Sequence, residues 1–152
     1  MNTAKMKARL IAHLDALLDQ RVAALEQSIQ SAKESRDSDT KSSAGDKYET
    51  GREMIQQEVD KFEGQLAHTR QLKVDLGKIN PEKRNRQAEF GSLLICNPGN
   101  YFLSIAVGKV EIDSDNFICL SLASPLGKAF YGKTVGDELL FNGKKIVVEE
   151  IY

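Results

Sequence analysis

Residues 3–34 run without a single glycine or proline, and their apolar side chains recur at a fixed helical interval. Leu14, Leu18, Val22, Leu25, Ile29 and Ala32 follow one another at steps of 4, 4, 3, 4 and 3, the alternation of a coiled-coil seam. A second stripe occupies residues 44–79: Tyr48, Ile55, Val59, Phe62, Leu66, Thr69, Leu72, Leu76 and Ile79. The faces opposite both stripes are rich in Lys, Arg, Glu, Asp and Gln. Neither helix can bury its stripe alone, so the pattern predicts an antiparallel hairpin over residues 1–80, each arm covering the other. At ~1.5 Å per residue the arms reach roughly 45–50 Å, longer than a core of this size requires.

Between the stripes, residues 35–45 contain no large apolar side chain and form the tip. Ser43, with Asp46 three residues on, predicts a capping box opening the second helix. Pro81 disfavours helical geometry at Asn80 and closes it. Residues 81–88, mostly charged or polar, read as a linker. Residues 89–152 are organised differently, with short β-type runs at 93–96, 101–107, 109–112, 117–122, 139–141 and 146–151. Turn clusters at 97–100 and 113–116 and the pair Asn142-Gly143 punctuate them. These runs predict a small antiparallel sheet with one short helix, making the whole chain α+β.

Composition narrows the function. A formal net charge of −1 over 152 residues argues against holding nucleic acid by bulk electrostatics, so no direct DNA binding is expected. Charged residues at 28% and hydrophobic ones at 41% describe a folded chain. No apolar run approaches the ~18 residues of a bilayer span, and residues 1–18 lack a signal-peptide core. A cytoplasmic protein without membrane contact is the expectation. Cys96 and Cys119 lie in apolar surroundings and read as reduced core thiols. His13 and His68 sit on helical faces away from either cysteine, and no nucleophile motif surrounds a Ser or Cys. A self-contained enzyme is therefore not expected, and no cofactor of its own is implied.

Residues 124–137 carry the most specific motif, Ser-Pro-Leu-Gly-Lys-Ala-Phe-Tyr-Gly-Lys-Thr-Val-Gly-Asp. Ser124 can cap a short helix with Pro125 at its first position. Leu126, Ala129 and Phe130 supply an apolar face, and Gly132 a left-handed stop. With Phe90-Gly91-Ser92 before it and Glu149-Glu150-Ile151 after it, this motif resembles the C-terminal domain of the GreA/GreB family of bacterial transcription elongation factors. The helical hairpin ahead of it extends the resemblance over most of the chain.

The resemblance implies an FK506-binding-protein-like (FKBP-like) fold for residues 89–152. It implies RNA polymerase as partner: the hairpin enters the secondary channel, and the surface at Ser124, Pro125 and Leu126 docks on the rim. In that family the tip carries an Asp and a Glu that help bind a second Mg²⁺ for cleavage of backtracked RNA. Here Tyr48 and Arg52-Glu53 match the family register, which places Lys41 and Ala44 where those acids belong. Neither can ligate Mg²⁺, so transcript cleavage is not expected to follow binding.

Asp39 and Asp46 flank the loop. They are the tip candidates for any catalytic contribution, through Mg²⁺ shared with the polymerase and contact with the RNA 3′ end. Their structural alternatives are loop solvation for Asp39 and the capping box for Asp46. Asp37 and Glu49 have similar alternatives. Prolyl isomerase activity would follow from the fold analogy alone. The reading outside transcription is a coiled-coil adaptor or chaperone-like module that uses the hairpin for protein contacts.

Overall fold

The computed structural model of the chain describes residues 2–38 and 45–152, with residues 45–48 described by backbone alone. It is α+β: α1 (Thr3–Ser38) and α2 (Gly45–Gly77) precede a six-stranded sheet. By spatial contact the chain divides into two compact units, residues 15–73 and residues 1–14 with 74–152. No described helix is long and apolar enough to cross a membrane.

Within residues 15–73 the two helices run antiparallel, because cross-helix partners descend in number along one arm as they rise along the other. Lys73 pairs with Asp15 and Asp19, Arg70 with Glu26, Lys33 with Glu63, and Arg36 donates to Gln56. The predicted stripes face inward: Leu18, Ile29, Val59, Leu66 and Thr69 are buried, and Val22, Leu25, Ala32, Ile55, Phe62 and Leu72 are half-buried. The ion pairs are exposed and add little individually, so the seam carries the association. The Ser43–Asp46 capping box falls outside the described side chains.

The other unit begins inside α1. Thr3, Met6, Lys7, Leu10 and Leu14 form one buried stripe there, and Leu76 and Ile79 are buried at the far end of the helical region. Thr3 Oγ1 donates to Glu150 Oε1 at 2.6 Å. By spatial contact the boundary between the units lies within the helical arms. Residues 81–88 are more than a linker. Asn85 and Ala88 are buried, Ala88 N–H donates to Lys133 O at 2.8 Å, and Ala88 O accepts from Gly132 N–H at 2.8 Å.

The sheet order is β3-β4-β2-β1-β6-β5, with β1 Leu93–Asn97, β2 Asn100–Leu103, β3 Gly108–Ile112, β4 Asp115–Leu120, β5 Glu138–Phe141 and β6 Lys144–Ile151. It is mixed and not antiparallel as expected, because β2 and β4 pair in parallel. Successive strands still alternate in direction; β3 is displaced to the edge and β4 folds back into the gap. The burial pattern gives the reason. Strand β3 buries only Val110 and Ile112 and exposes Lys109 and Glu111, as an edge tolerates, whereas β4 buries Phe117, Cys119 and Leu120. Asp113-Ser114 and Asn142-Gly143 make the tight turns with positive φ expected of two-residue hairpins. Ile95 pairs with Glu150 but Cys96 with Val148, a bulge at Glu149 that allows both Val148 and Ile151 to face the core.

One charge is enclosed in this unit. Lys7 has no exposed surface; its Nζ donates to Lys83 O at 2.8 Å and to Tyr152 O at 3.4 Å, and it lies 5.5 Å from the Tyr152 ring centre. Burial, reinforced by the nearby Lys83 charge, pushes its pKa down to about 8. The unfolded chain then holds the proton more tightly than the folded one. The cost is full below pH 8 and is relieved as pH rises from 8 toward the ordinary lysine value of 10.5. Screening by nearby solvent keeps the gain to about 1–3 kcal/mol. Between those limits unfolding free energy should rise relative to a Lys7→Met variant, measured by denaturant titration. A difference that stays constant across the range would show that the ammonium is effectively solvated.

Candidate functional site

The motif at residues 124–137 folds as a set of interlocking local devices. Ser124 has extended backbone (φ −68°, ψ 156°); its Oγ accepts from Gly127 N–H at 3.0 Å and donates to Ser121 O at 2.7 Å. Pro125 opens α3 (Pro125–Phe130), where a missing N–H costs nothing. Phe130 is fully buried in the sheet core and meets the Tyr101 ring with centroids 4.9 Å apart, tilted by 50°. Leu126 and Ala129 pack against the same core while remaining partly open. Gly132 leaves the helix at φ +82°, a conformation side chains resist.

The remaining motif residues are explained by architecture. Lys133 O and Gly132 N–H bind Ala88, tying the 81–88 segment to the turn after α3. Asp137 Oδ2 accepts from Thr134 N–H at 2.8 Å and from Thr134 Oγ1 at 3.0 Å. These two bonds, with Lys133 nearby, hold its carboxyl below the usual range. Ser92 of the Phe90-Gly91-Ser92 entry is buried, accepting from Glu89 N–H and donating to Gln87 O. Of the motif's remaining side chains, Pro125, Lys128, Tyr131 and Val135 are exposed and Leu126 is half-buried.

Leu126 also lines a hollow of about 310 Å³ with Pro98, Gly99, Tyr101, Phe141, Lys144 and Ile146. Ser124 and Pro125 lie outside that lining, so the predicted docking residues divide between a helix cap and the rim of an apolar recess. The recess draws on the β1–β2 turn, β5 and β6. Its one sequence signal is aromatic: Tyr101 and Phe141, which lie in the β-type runs at 101–107 and 139–141. Burial raises the Tyr101 hydroxyl pKa, with Cys96 adding to the shift. Cys96 and Cys119 are free and buried, each pushed up to about 12 by burial, so both thiols stay protonated.

At the other end of the sequence pattern, Asp39 lies outside the described residues, as do Lys41 and Ala44. Asp46 sits in the first turn of α2, with its side chain outside the description. Asp37 is exposed and pairs with Arg36 at 3.2 Å, and Glu49 is exposed. His13 and His68 are both exposed. Among the described residues no three His, Cys, Asp or Glu side chains gather as metal ligands. Along the hairpin a shallow groove of about 640 Å³ opens where Ala24 and Gly64 lack long side chains, edged by Arg21, Lys61 and His68.

Comparison with protein-family models, with curated proteins and with solved structures finds no match to this chain.

Gly127 is the position in α3 with no room for change. A Cβ there would lie 2.1 Å from Ser121 O and 2.8 Å from Leu122 Cα, both main-chain atoms that cannot swing aside. Gly127→Ala should therefore destabilise the protein by about 3 kcal/mol. Loss of the cap in Ser124→Ala should cost about 1 kcal/mol. Thermal or denaturant unfolding of the two variants checks the order; equal losses would mean that α3 can move off Ser121 freely.

Proposed function

We propose that this chain is a Gre-like regulator of transcription that binds RNA polymerase at its secondary channel without stimulating transcript cleavage. The observation that carries this reading is the association, in one chain, of an antiparallel helical hairpin with a sheet unit whose α3 presents a capped Ser124-Pro125-Leu126 edge. In this reading residues 89–152 adopt an FK506-binding-protein-like arrangement, Pro125 and Leu126 contact the polymerase rim, and the hairpin occupies the channel. Support for the rim contact is chemical: Pro125 is exposed and Leu126 borders an apolar recess, the kind of surface a partner side chain can fill.

Cleavage is excluded from the proposal on ligand chemistry. Mg²⁺ takes hard oxygen ligands, and the aligned register supplies Lys41 and Ala44. Any catalytic contribution would have to come from Asp39 and Asp46, with the active site itself belonging to the polymerase.

Two measurements test this. Pro125→Glu, and separately Leu126→Glu, should weaken association with purified RNA polymerase by about tenfold or more while leaving a single cooperative melt. Unchanged affinity in both would remove the docking assignment. In a backtracked complex with 3′-labelled RNA and Mg²⁺, the protein should bind without accelerating release of short 3′ fragments. Accelerated release lost in an Asp39→Ala, Asp46→Ala double variant would assign those acids the metal-positioning role instead. Absence of binding would move the chain to the adaptor class.

A further inference from the structure

Residues 81–88 contribute to a second hollow, of about 470 Å³, lined by Arg84, Asn85, Arg86, Val135 and Ile151. Three features of it point to a ligand. Arg84 and Arg86 are both exposed, and neither forms an ion pair among the described residues. Arg84 is braced, its guanidinium carbon 5.9 Å from the Tyr152 ring centre. Val135, 59% exposed, offers apolar surface beside the buried Ile151.

The third feature is Asn85, which is only 3% exposed. Its Nδ2 donates to Tyr152 O at 3.3 Å, so the amide cannot be turned over without setting two oxygens against each other. That orientation leaves Asn85 Oδ1 buried and without a hydrogen-bond partner among the described residues. A buried acceptor left unpaired costs about 1–3 kcal/mol, a cost that a ligand N–H in the hollow would relieve.

We propose that this hollow binds an acidic peptide segment of a partner protein. Arg84 and Arg86 hold its carboxylates, and Asn85 Oδ1 accepts an N–H from its backbone. Val135 and Ile151 receive an apolar side chain between the acids. A phosphate or a nucleic-acid backbone would satisfy the arginines, but it brings no N–H for Asn85 and no apolar group for Val135. The overall charge of −1 also fails to favour a polyanion. This inference rests on neither the hairpin nor α3, and so stands apart from the polymerase reading.

The test is an NMR titration of the full-length, isotopically labelled chain with acetyl-Glu-Leu-Glu-amide and with its acetyl-Gln-Leu-Gln-amide counterpart. The acidic peptide should shift the Asn85 side-chain amide and the Val135 and Ile151 methyl groups, with binding that weakens as salt is raised. An Arg84→Glu, Arg86→Glu variant should lose about tenfold or more in affinity while its sheet resonances stay in place. The neutral peptide should leave the spectrum unchanged. The proposal is overturned by no response to the acidic peptide, by an equal response to the neutral one, or by stronger binding of a short single-stranded oligonucleotide.

Discussion

The sheet unit depends on a junction at one main-chain oxygen, that of Tyr152. It accepts from Leu93 N–H at 3.1 Å, from Asn85 Nδ2 at 3.3 Å and from Lys7 Nζ at 3.4 Å. These donors come from the start of β1, the 81–88 segment and the start of α1. The ammonium is shared with Lys83 O and sits against the Tyr152 ring, which distributes its charge over two carbonyls and an aromatic face. Enclosing a cation is costly, and the lowered Lys7 pKa expresses that cost. Removing the partners would be worse than keeping them, since a buried charge without acceptors loses far more than the paired one. The arrangement therefore binds the beginning of α1 to the last strand through specific geometry, where apolar contact alone would permit sliding.

That junction also explains why the charged stretch 81–88 is ordered against its neighbours. Lys83 O is occupied by Lys7, Asn85 by Tyr152, and Ala88 by Gly132 and Lys133. Every second or third residue is pinned, while Arg84 and Arg86 beside them stay exposed. A segment held this way presents its two guanidinium groups from a fixed backbone. Such groups lose less conformational freedom on meeting a carboxylate than they would from a mobile linker.

Legibility in the sequence followed the range of the interactions. The helical stripes, the Asn142-Gly143 turn and the Ser124-Pro125 cap are local patterns, and each appears where its residues predict it. The features that local pattern does not reach are those set by distant partners. Lys7 reads as a solvent-facing residue unless the carbonyls of Lys83 and Tyr152 are known. The β2–β4 parallel pairing depends on which strand of the β3–β4 hairpin carries the larger apolar face, a comparison that periodicity does not make. The Glu149 bulge shifts Ile151 by one position, so strict alternation along β6 would have turned it outward. The candidate surface was legible as residues but not as shape, because Leu126 meets Tyr101 and Phe141 around the recess only once the β1–β2 turn and β5 are in place.

The motif at residues 124–137 shows how structural and binding roles separate within one short stretch. Gly127 is required by the Ser121 carbonyl, Phe130 by the core, Gly132 and Lys133 by Ala88, and Asp137 by Thr134. With those positions committed, variation that alters binding while sparing the fold is left to Pro125, the open side of Leu126, Lys128, Tyr131 and Val135. A helix of six residues would be too short to hold its own shape in water. The Ser124 cap and the Phe130 anchor fix it at both ends, so Pro125 is displayed on a rigid support. In the proposed polymerase reading, rigidity of that kind would lower the entropic cost of docking, and α3, more than the longer hairpin, would carry specificity for the partner's surface.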